Sequence, residues 1–276
     1  MIDRATDPAY LAYQYGDSER LRVRIEAHRC YSEQPTDWYP QFARELVAAP
    51  GATVVDVGCG PGTVQPALCA AGALVVGVDY SPGMVREAQA QAARARLPVR
   101  LLQADAQALP FPDDQFDGAL EAHMLYHLPD IAQALRELRR VVKPGGRVLI
   151  STNAADHSAR LDDLHRAAAQ LLGYTPAAAN PDRRFSLDHL PLVREVFPRA
   201  VLHPLPNAFV FPTTDSALAY YASGRVDSIM ERSDDGSHRA PLIARVGDLI
   251  AEVMGREGGV FRVPKDDGYV LATAEA

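Results

Sequence analysis

A chain of 276 residues that is 47% hydrophobic and 23% charged has the composition of a folded protein with a sizeable core, in one large domain or two small ones. Its net charge of −7 argues against the basic footprint of a nucleic-acid binder, and no run of about 18 apolar residues is present to cross a membrane. Cys30, Cys59 and Cys69 form no C-x-x-C pair, and the polar start "MIDRATDPAYLAYQYGDSER" has no apolar signal region, so a cytoplasmic chain with reduced thiols is expected.

The N-terminal 45 or so residues carry Tyr10, Tyr13, Tyr15, Tyr31, Trp38 and Tyr39 and read as an aromatic-rich helical segment, residues 1–45, ahead of a main domain over 46–276. From residue 53 strands and helices alternate. "TVVDV" (53–57) is a buried strand, Gly62 to Ala70 a helix, and "ALVVGVD" (73–79) a second strand. Pro82 to Arg96 is a long helix, with Ser81 as N-cap and Pro82 where a first-turn proline is tolerated. "VRLLQAD" (99–105) and "FDGALEA" (116–122) are further strands. A helix from Ile131 to Val142 stops at "KPGG", and "RVLIST" (147–152) is the fifth strand. Continuous apolar strands between helices predict an α/β fold with a parallel sheet covered on both faces. Beyond residue 152, helices are expected over 158–174, 186–197, 214–222 and 240–255. "AVLHPLPNAFVF" (200–211) reads as one proline-bearing edge strand, and "GYVLATA" (268–274) as a closing strand.

The chemistry begins at "VVDVGCGPGTV" (54–64). A glycine-rich turn between a strand and its helix brings a ligand against the backbone and the helix N-terminus. A dinucleotide fingerprint G-x-G-x-x-G starting at Gly58 needs glycine at position 63, which is Thr63. The pattern is instead Asp56-x-Gly58-x-Gly60-x-Gly62. Asp79 ends the next strand 17 positions on, where a carboxylate accepts from a ribose diol. "LLQADAQALPFPDDQFD" then places Asp105-Ala106 where an acid accepts from an adenine amino group, and "EAHMLYHLPD" and "KPGGRVLI" follow.

In that order, over about residues 50 to 152, these motifs resemble the class I S-adenosylmethionine-dependent methyltransferases, and most closely their small-molecule group. The resemblance implies a Rossmann-like, doubly wound, mostly parallel seven-stranded sheet in the order 3-2-1-4-5-7-6 with the last strand antiparallel. It implies S-adenosyl-L-methionine as cofactor and S-adenosyl-L-homocysteine as product. Asp56, Gly58, Cys59 and Gly60 would hold the methionine moiety, Asp79 the ribose hydroxyls, and Tyr80 and Met84 the adenine faces. Asp105 and Ala106 would meet the adenine amino edge, and the backbone near Glu121 the ammonium. "YQYGDSERLRVRIEAHRCYS" is similar to the lid of some bacterial members, and Tyr15 would close over the cofactor.

Transfer of a methyl group from a sulfonium requires the acceptor in line, water excluded and, for some acceptors, a proton removed. His123 and His127 follow the fourth strand, where ligands of open parallel sheets bind, and are the candidate bases. The prolines and aromatics of "HPLPNAFVFP" (203–212) and the N-terminal tyrosines are expected to wall the acceptor pocket, as insertions after residue 152. No metal is expected: no Asp/Asn ligand cluster is seen, and His157, His165, His189, His203 and His238 are scattered without ligand spacing. The reading is O- or N-methylation of a small molecule, in bacterial secondary metabolism by resemblance, by a monomer or homodimer that contacts neither nucleic acid nor membrane. Its rivals are a nucleic-acid methyltransferase, a non-methylating S-adenosylmethionine-binding protein and, disfavoured by Thr63, a dehydrogenase.

Overall fold

The computed structural model describes residues 19–34, 37–177, 184–233 and 235–275. β1 (Thr53–Val57), β2 (Leu74–Asp79), β3 (Arg100–Gln103), β4 (Phe116–Ala122) and β5 (Val142–Asn153) are parallel neighbours. β9 (Asp267–Thr273) pairs antiparallel to β5, and β6 (Val201–Leu205) pairs antiparallel to β9. The sheet order is therefore β3-β2-β1-β4-β5-β9-β6. This is the expected arrangement, with the closing strand ninth in chain order because two strands lie elsewhere.

Alternate residues of each strand feed opposite faces, as the pleat requires. Val55, Ala119, Val148 and Ile150 join a core that includes Leu135, Leu138, Phe185 and Phe197. Val54, Leu120 and Leu149 join Phe42, Leu46 and Leu68 on the other side. The first face is covered by α5 (Ile131–Val141) and α7 (Leu190–Val196), the second by α2 (Tyr39–Leu46) and α3 (Gln65–Ala70). Ser81 caps α4 (Pro82–Ala95) by accepting from the Met84 N–H.

A third core stands apart from the main sheet. It gathers Phe209, Phe211, Phe261 and Val263 of a two-stranded sheet, β7 (Ala208–Phe211) with β8 (Phe261–Pro264). Around it lie α1 (Glu19–Tyr31), α6 (Ala159–Leu171), α8 (Thr214–Ala222) and α9 (Arg239–Arg256).

Three sequence expectations need correction, and one strand was not expected. Residues 200–211 form two strands in two sheets, because the stretch between Leu205 and Ala208 turns the chain out of the main sheet at Pro206 and Asn207. β8 carries too short an apolar pattern to be read from sequence. "KPGG" does not precede the fifth strand but lies inside it: pairing skips from Phe116–Val142 to Gly118–Arg147, and Gly145 takes φ +82°. The third helix starts at Gln65 rather than Gly62, since Gly62 takes φ +83° and cannot be helical. Among the described residues, no helix is long and apolar enough to cross a membrane.

Candidate functional site

The glycine loop leaves β1 with Gly58 at φ +68°, Gly60 at +53° and Gly62 at +83°. The three glycines serve different ends. A side chain at Gly58 would strike Met124, 2.5 Å away, and one at Gly62 would strike Gln65 at 2.7 Å. At Gly60 a Cβ would meet nothing within 4 Å. The loop is thus packed at its two outer glycines and open at the middle one. Cys59 is buried, its thiol pushed far up by burial and donating weakly to the Gly60 carbonyl at 3.7 Å.

Asp79 fixes that open turn. Its carboxylate accepts from the Gly60 N–H at 2.8 Å and from the Ser81 N–H at 2.8 Å. Burial raises its pKa, and the two N–H donors oppose the rise. Asp56 lies beneath the loop, accepting from Gln65 Nε2 at 3.3 Å; burial, with the nearby Asp79 charge, pushes it up to about 7. Glu121 ends β4 fully buried. Its Oε1 accepts from the Met124 and Leu125 N–H groups at 2.6 and 2.9 Å, while Oε2 has no hydrogen-bond partner among the described residues. Burial pushes Glu121 up to about 8, and Asp56 adds to the rise.

Three carboxylates therefore converge on one loop, each raised chiefly by burial, Asp56 further by Asp79 and Glu121 further by Asp56, with no cation among the described residues acting on them. A buried carboxylate in this state is a ready partner for a cationic ligand. Tyr80 stands 62% exposed beside Asp79, its carbonyl held by Gln103 Nε2. Met84 is only 3% exposed and contributes mainly to the core. Asp105 lies just past β3 rather than within it and holds the Gln107 N–H at 2.8 Å, with Ala106 buried behind it. Tyr15 lies outside the described residues.

The two candidate bases part company. His127 sits in a 3-10 turn, Leu125–His127, edge-on to Tyr126. His123 takes φ +56°, donates its N–H to the Ser151 carbonyl, and bears electrostatically on His28 and Asp267.

That contact leads to a cluster that the sequence spacing hid. Asp267 begins β9, opposite Asn153 at the end of β5. His157, in the turn after β5, places Nδ1 3.3 Å from Asp267 Oδ1. Lys265, in the β8–β9 turn and 0% exposed, donates from Nζ to His28 Nδ1 at 3.0 Å and lies 3.9 Å from Asp267 Oδ2. The ammonium also sits over the Phe209 ring, 4.6 Å from its centroid. Burial lowers Lys265 to about 8, with Asp267 opposing. Burial would raise Asp267, but the neighbouring His157, and after it His123, outweigh burial and hold it at about 2. Burial and the Lys265 charge keep His28 neutral, well below the ordinary histidine range. The gathering comes from α1, the end of β4, the turn after β5 and the β8–β9 turn, so no motif in sequence could show it. Among the described residues, no group of His, Cys, Asp or Glu is placed to hold a metal ion.

A carboxyl-edge glycine loop with an acid on the neighbouring strand defines a nucleoside-binding enzyme domain of Rossmann-like form. Residues 55–150 match the family described as Methyltransferase domain. The chain is 30% identical over 198 residues to the 2-phytyl-1,4-naphtoquinone methyltransferase of Synechococcus elongatus, covering 66% of this chain and 77% of that one. It is 39% identical over 117 residues to the demethylmenaquinone methyltransferase of Desulfitobacterium hafniense, covering 41% of this chain and 46% of that one, so it spans less than half of that relative's length. Among solved structures, the phosphoethanolamine N-methyltransferase 2 of Haemonchus contortus, in complex with phosphomonomethylethanolamine and S-adenosylhomocysteine, aligns with a TM-score of 0.61 at 14% identity, covering all of this chain and 61% of that one. The chain belongs to the class I S-adenosylmethionine-dependent methyltransferases, and S-adenosylmethionine is its cofactor.

Proposed function

We propose that this chain transfers a methyl group to an oxygen or nitrogen of a small molecule, with the cofactor held by the glycine loop, Asp56, Asp79 and Glu121. The observation that carries the reading is the open middle glycine beside the buried Asp56 and Glu121 and the half-buried Asp79, with no cation on them among the described residues. S-Adenosylmethionine supplies a methyl group on a positively charged sulfur, together with an ammonium. Asp79 fits the ribose diol once its two backbone donors are shared, Asp56 and the unpartnered Glu121 Oε2 fit the cationic end, and Tyr80 offers an exposed ring beside the ribose acid.

The acceptor side, in this reading, is the space bordered by His123 and the α1–β7–β8 unit. The α1 segment acts as a lid anchored at both ends: Arg20 bonds Asp227, and the Glu33 N–H bonds the Ala208 carbonyl. The net charge of −7 supports a small-molecule acceptor over a nucleic acid. A setting in bacterial secondary metabolism belongs to the same proposal and rests on the resemblance alone.

The test is ligand-induced stabilisation followed by label transfer. S-Adenosylhomocysteine should raise the melting temperature and NAD should not, because only a ligand of the native state stabilises it. A methyl-labelled cofactor should then pass its label to a small-molecule fraction. Stabilisation by NAD, with no response to the sulfur nucleosides, would overturn the reading.

A further inference from the structure

Resting on that reading, the histidine cluster specifies what kind of acceptor the site takes. The two ends of the carboxyl edge carry opposite chemistry. Around the glycine loop only carboxylates gather. Across β4 and β5, a single carboxylate, Asp267, is faced by His157 from the β5 turn, Lys265 from the β8–β9 turn, His28 from α1 and His123 from β4. A site that needed only to bind a neutral amine would have no use for a carboxylate-backed imidazole, since such an amine already carries its attacking lone pair.

The hydrogen-bonding pattern sets the tautomers. Lys265 donates to His28 Nδ1, which places the His28 proton on Nε2. Asp267 faces Nδ1 of His157, as does the Asp266 carbonyl at 3.5 Å, so Nδ1 carries that ring's proton and Nε2 its lone pair. Nε2 of His157 makes no hydrogen bond among the described residues. The Asp266 carbonyl fixes the ring by Nδ1, and the Asp267 carboxylate, 3.3 Å from the same nitrogen, stabilises the imidazolium formed when Nε2 takes a proton.

We propose that His157 is the proton acceptor of this enzyme, with Asp267 as the carboxylate that balances its charge, and that the methyl acceptor is a molecule with an ionisable O–H, a phenol or an enol. In the step this assigns, the O–H proton passes to Nε2 of His157 as the oxygen's electron pair forms the new bond to the methyl carbon. The carbon–sulfur bond breaks with its pair leaving on sulfur, and the sulfonium charge is thereby cancelled. The proton then leaves the imidazolium to water, returning His157 to its neutral state. Asp267 stays ionised throughout and balances the transient imidazolium; the Lys265 charge favours the oxygen as its anion.

The experiment uses the full chain saturated with S-adenosylhomocysteine and 4-nitrophenol as the probe, because its phenolate absorbs visible light and reports its own ionisation. The bound phenol should ionise at least one pH unit below the free phenol, a tenfold or greater shift in its acidity. His157→Gln should abolish the shift, and Asp267→Asn, an isosteric change, should reduce it, with homocysteine-nucleoside affinity within about twofold of the parent in both. Histidine nitrogen spectroscopy of the parent should place the His157 proton on Nδ1. The assignment is overturned if the parent binds S-adenosylhomocysteine but not the phenol, binds the phenol with its free acidity, or carries the His157 proton on Nε2. A full shift retained in His157→Gln overturns it as well. Should the parent fail to bind S-adenosylhomocysteine in calorimetry, it is the methyltransferase reading that falls, and this assignment with it.

Discussion

The cofactor end and the acceptor end of this sheet are built by different routes. The first is local: Asp56, the glycines and Asp79 lie within 24 residues of one another, on two adjacent strands and the turn between them. The second is remote: His28 and Lys265 are 237 residues apart in sequence and 3.0 Å apart in space. The local end is dominated by acids with no cation beside them among the described residues; the remote end buries one of the two lysines of the whole chain among imidazoles. A pocket for an invariant cofactor can be written into one continuous loop, whereas a pocket for a particular acceptor is assembled from whichever segments reach the same edge.

The contrast can be broken most directly at the middle glycine. Gly60→Val should leave S-adenosylhomocysteine binding undetectable by calorimetry, while unfolding shows a cost of about 1–2 kcal/mol for the left-handed backbone. Gly58→Ala should do the opposite, costing about 1–3 kcal/mol of stability through its collision with Met124. A Gly60→Val protein with parental affinity would place the ligand elsewhere.

Next in size is Asp79→Ala. Loss of a charged hydrogen-bonding group should weaken cofactor binding by about 1.5–3 kcal/mol, roughly tenfold to a hundredfold, with circular dichroism unchanged. Parental affinity in that variant would reduce Asp79 to a turn residue that merely holds the Gly60 and Ser81 N–H groups.

A pH dependence follows from Glu121. Its folded pKa, about 8, lies above the unfolded carboxyl range near 4, so between those limits the folded chain holds the extra proton. Its contribution to stability is therefore lost as pH rises through that window. Glu121→Gln, compared with the parent, should gain in melting temperature as pH goes from 6 to 9. The same change should weaken S-adenosylmethionine binding most at the alkaline end, where the parent carries the full charge. A constant difference in melting temperature across that range would show that Glu121 is ionised at no such cost.

The smallest effect is expected at Cys59. Its side chain points into the protein, so Cys59→Ala should leave affinity for S-adenosylhomocysteine within about twofold, at a modest packing cost of about 1 kcal/mol. A large loss of affinity would mean that the thiol, and not only the backbone, shapes the loop.

The legibility of the molecule in its sequence follows the same divide. The sheet order was readable because buried parallel strands are continuous apolar runs and because the glycine loop, Asp79 and the Asp105 turn recur at set spacings. His123 was readable from its place after β4. His157 was not: it was one of five scattered histidines, and only the antiparallel return of β9 brings Asp267 beside it. The two-stranded sheet was missed for a related reason. β7 and β8 pair across more than fifty residues, and neither is long enough to show an alternating pattern on its own.

The anchoring of α1 bears on the order in which the molecule comes together. Its contacts to Asp227 and Lys265 span 207 and 237 residues, and that of Gln34, just after it, to Asn207 spans 173. Closing loops of that size carries a heavy entropic cost, so such contacts form late, after the strands they dock against are in place. During synthesis from the N-terminus, β1 to β5 and the glycine loop are complete while α1 still waits for its partners. The half of the pocket that grips the nucleoside is therefore able to form well before the half that selects the acceptor, and a nascent chain with its cofactor bound would be matured by the docking of its own α1.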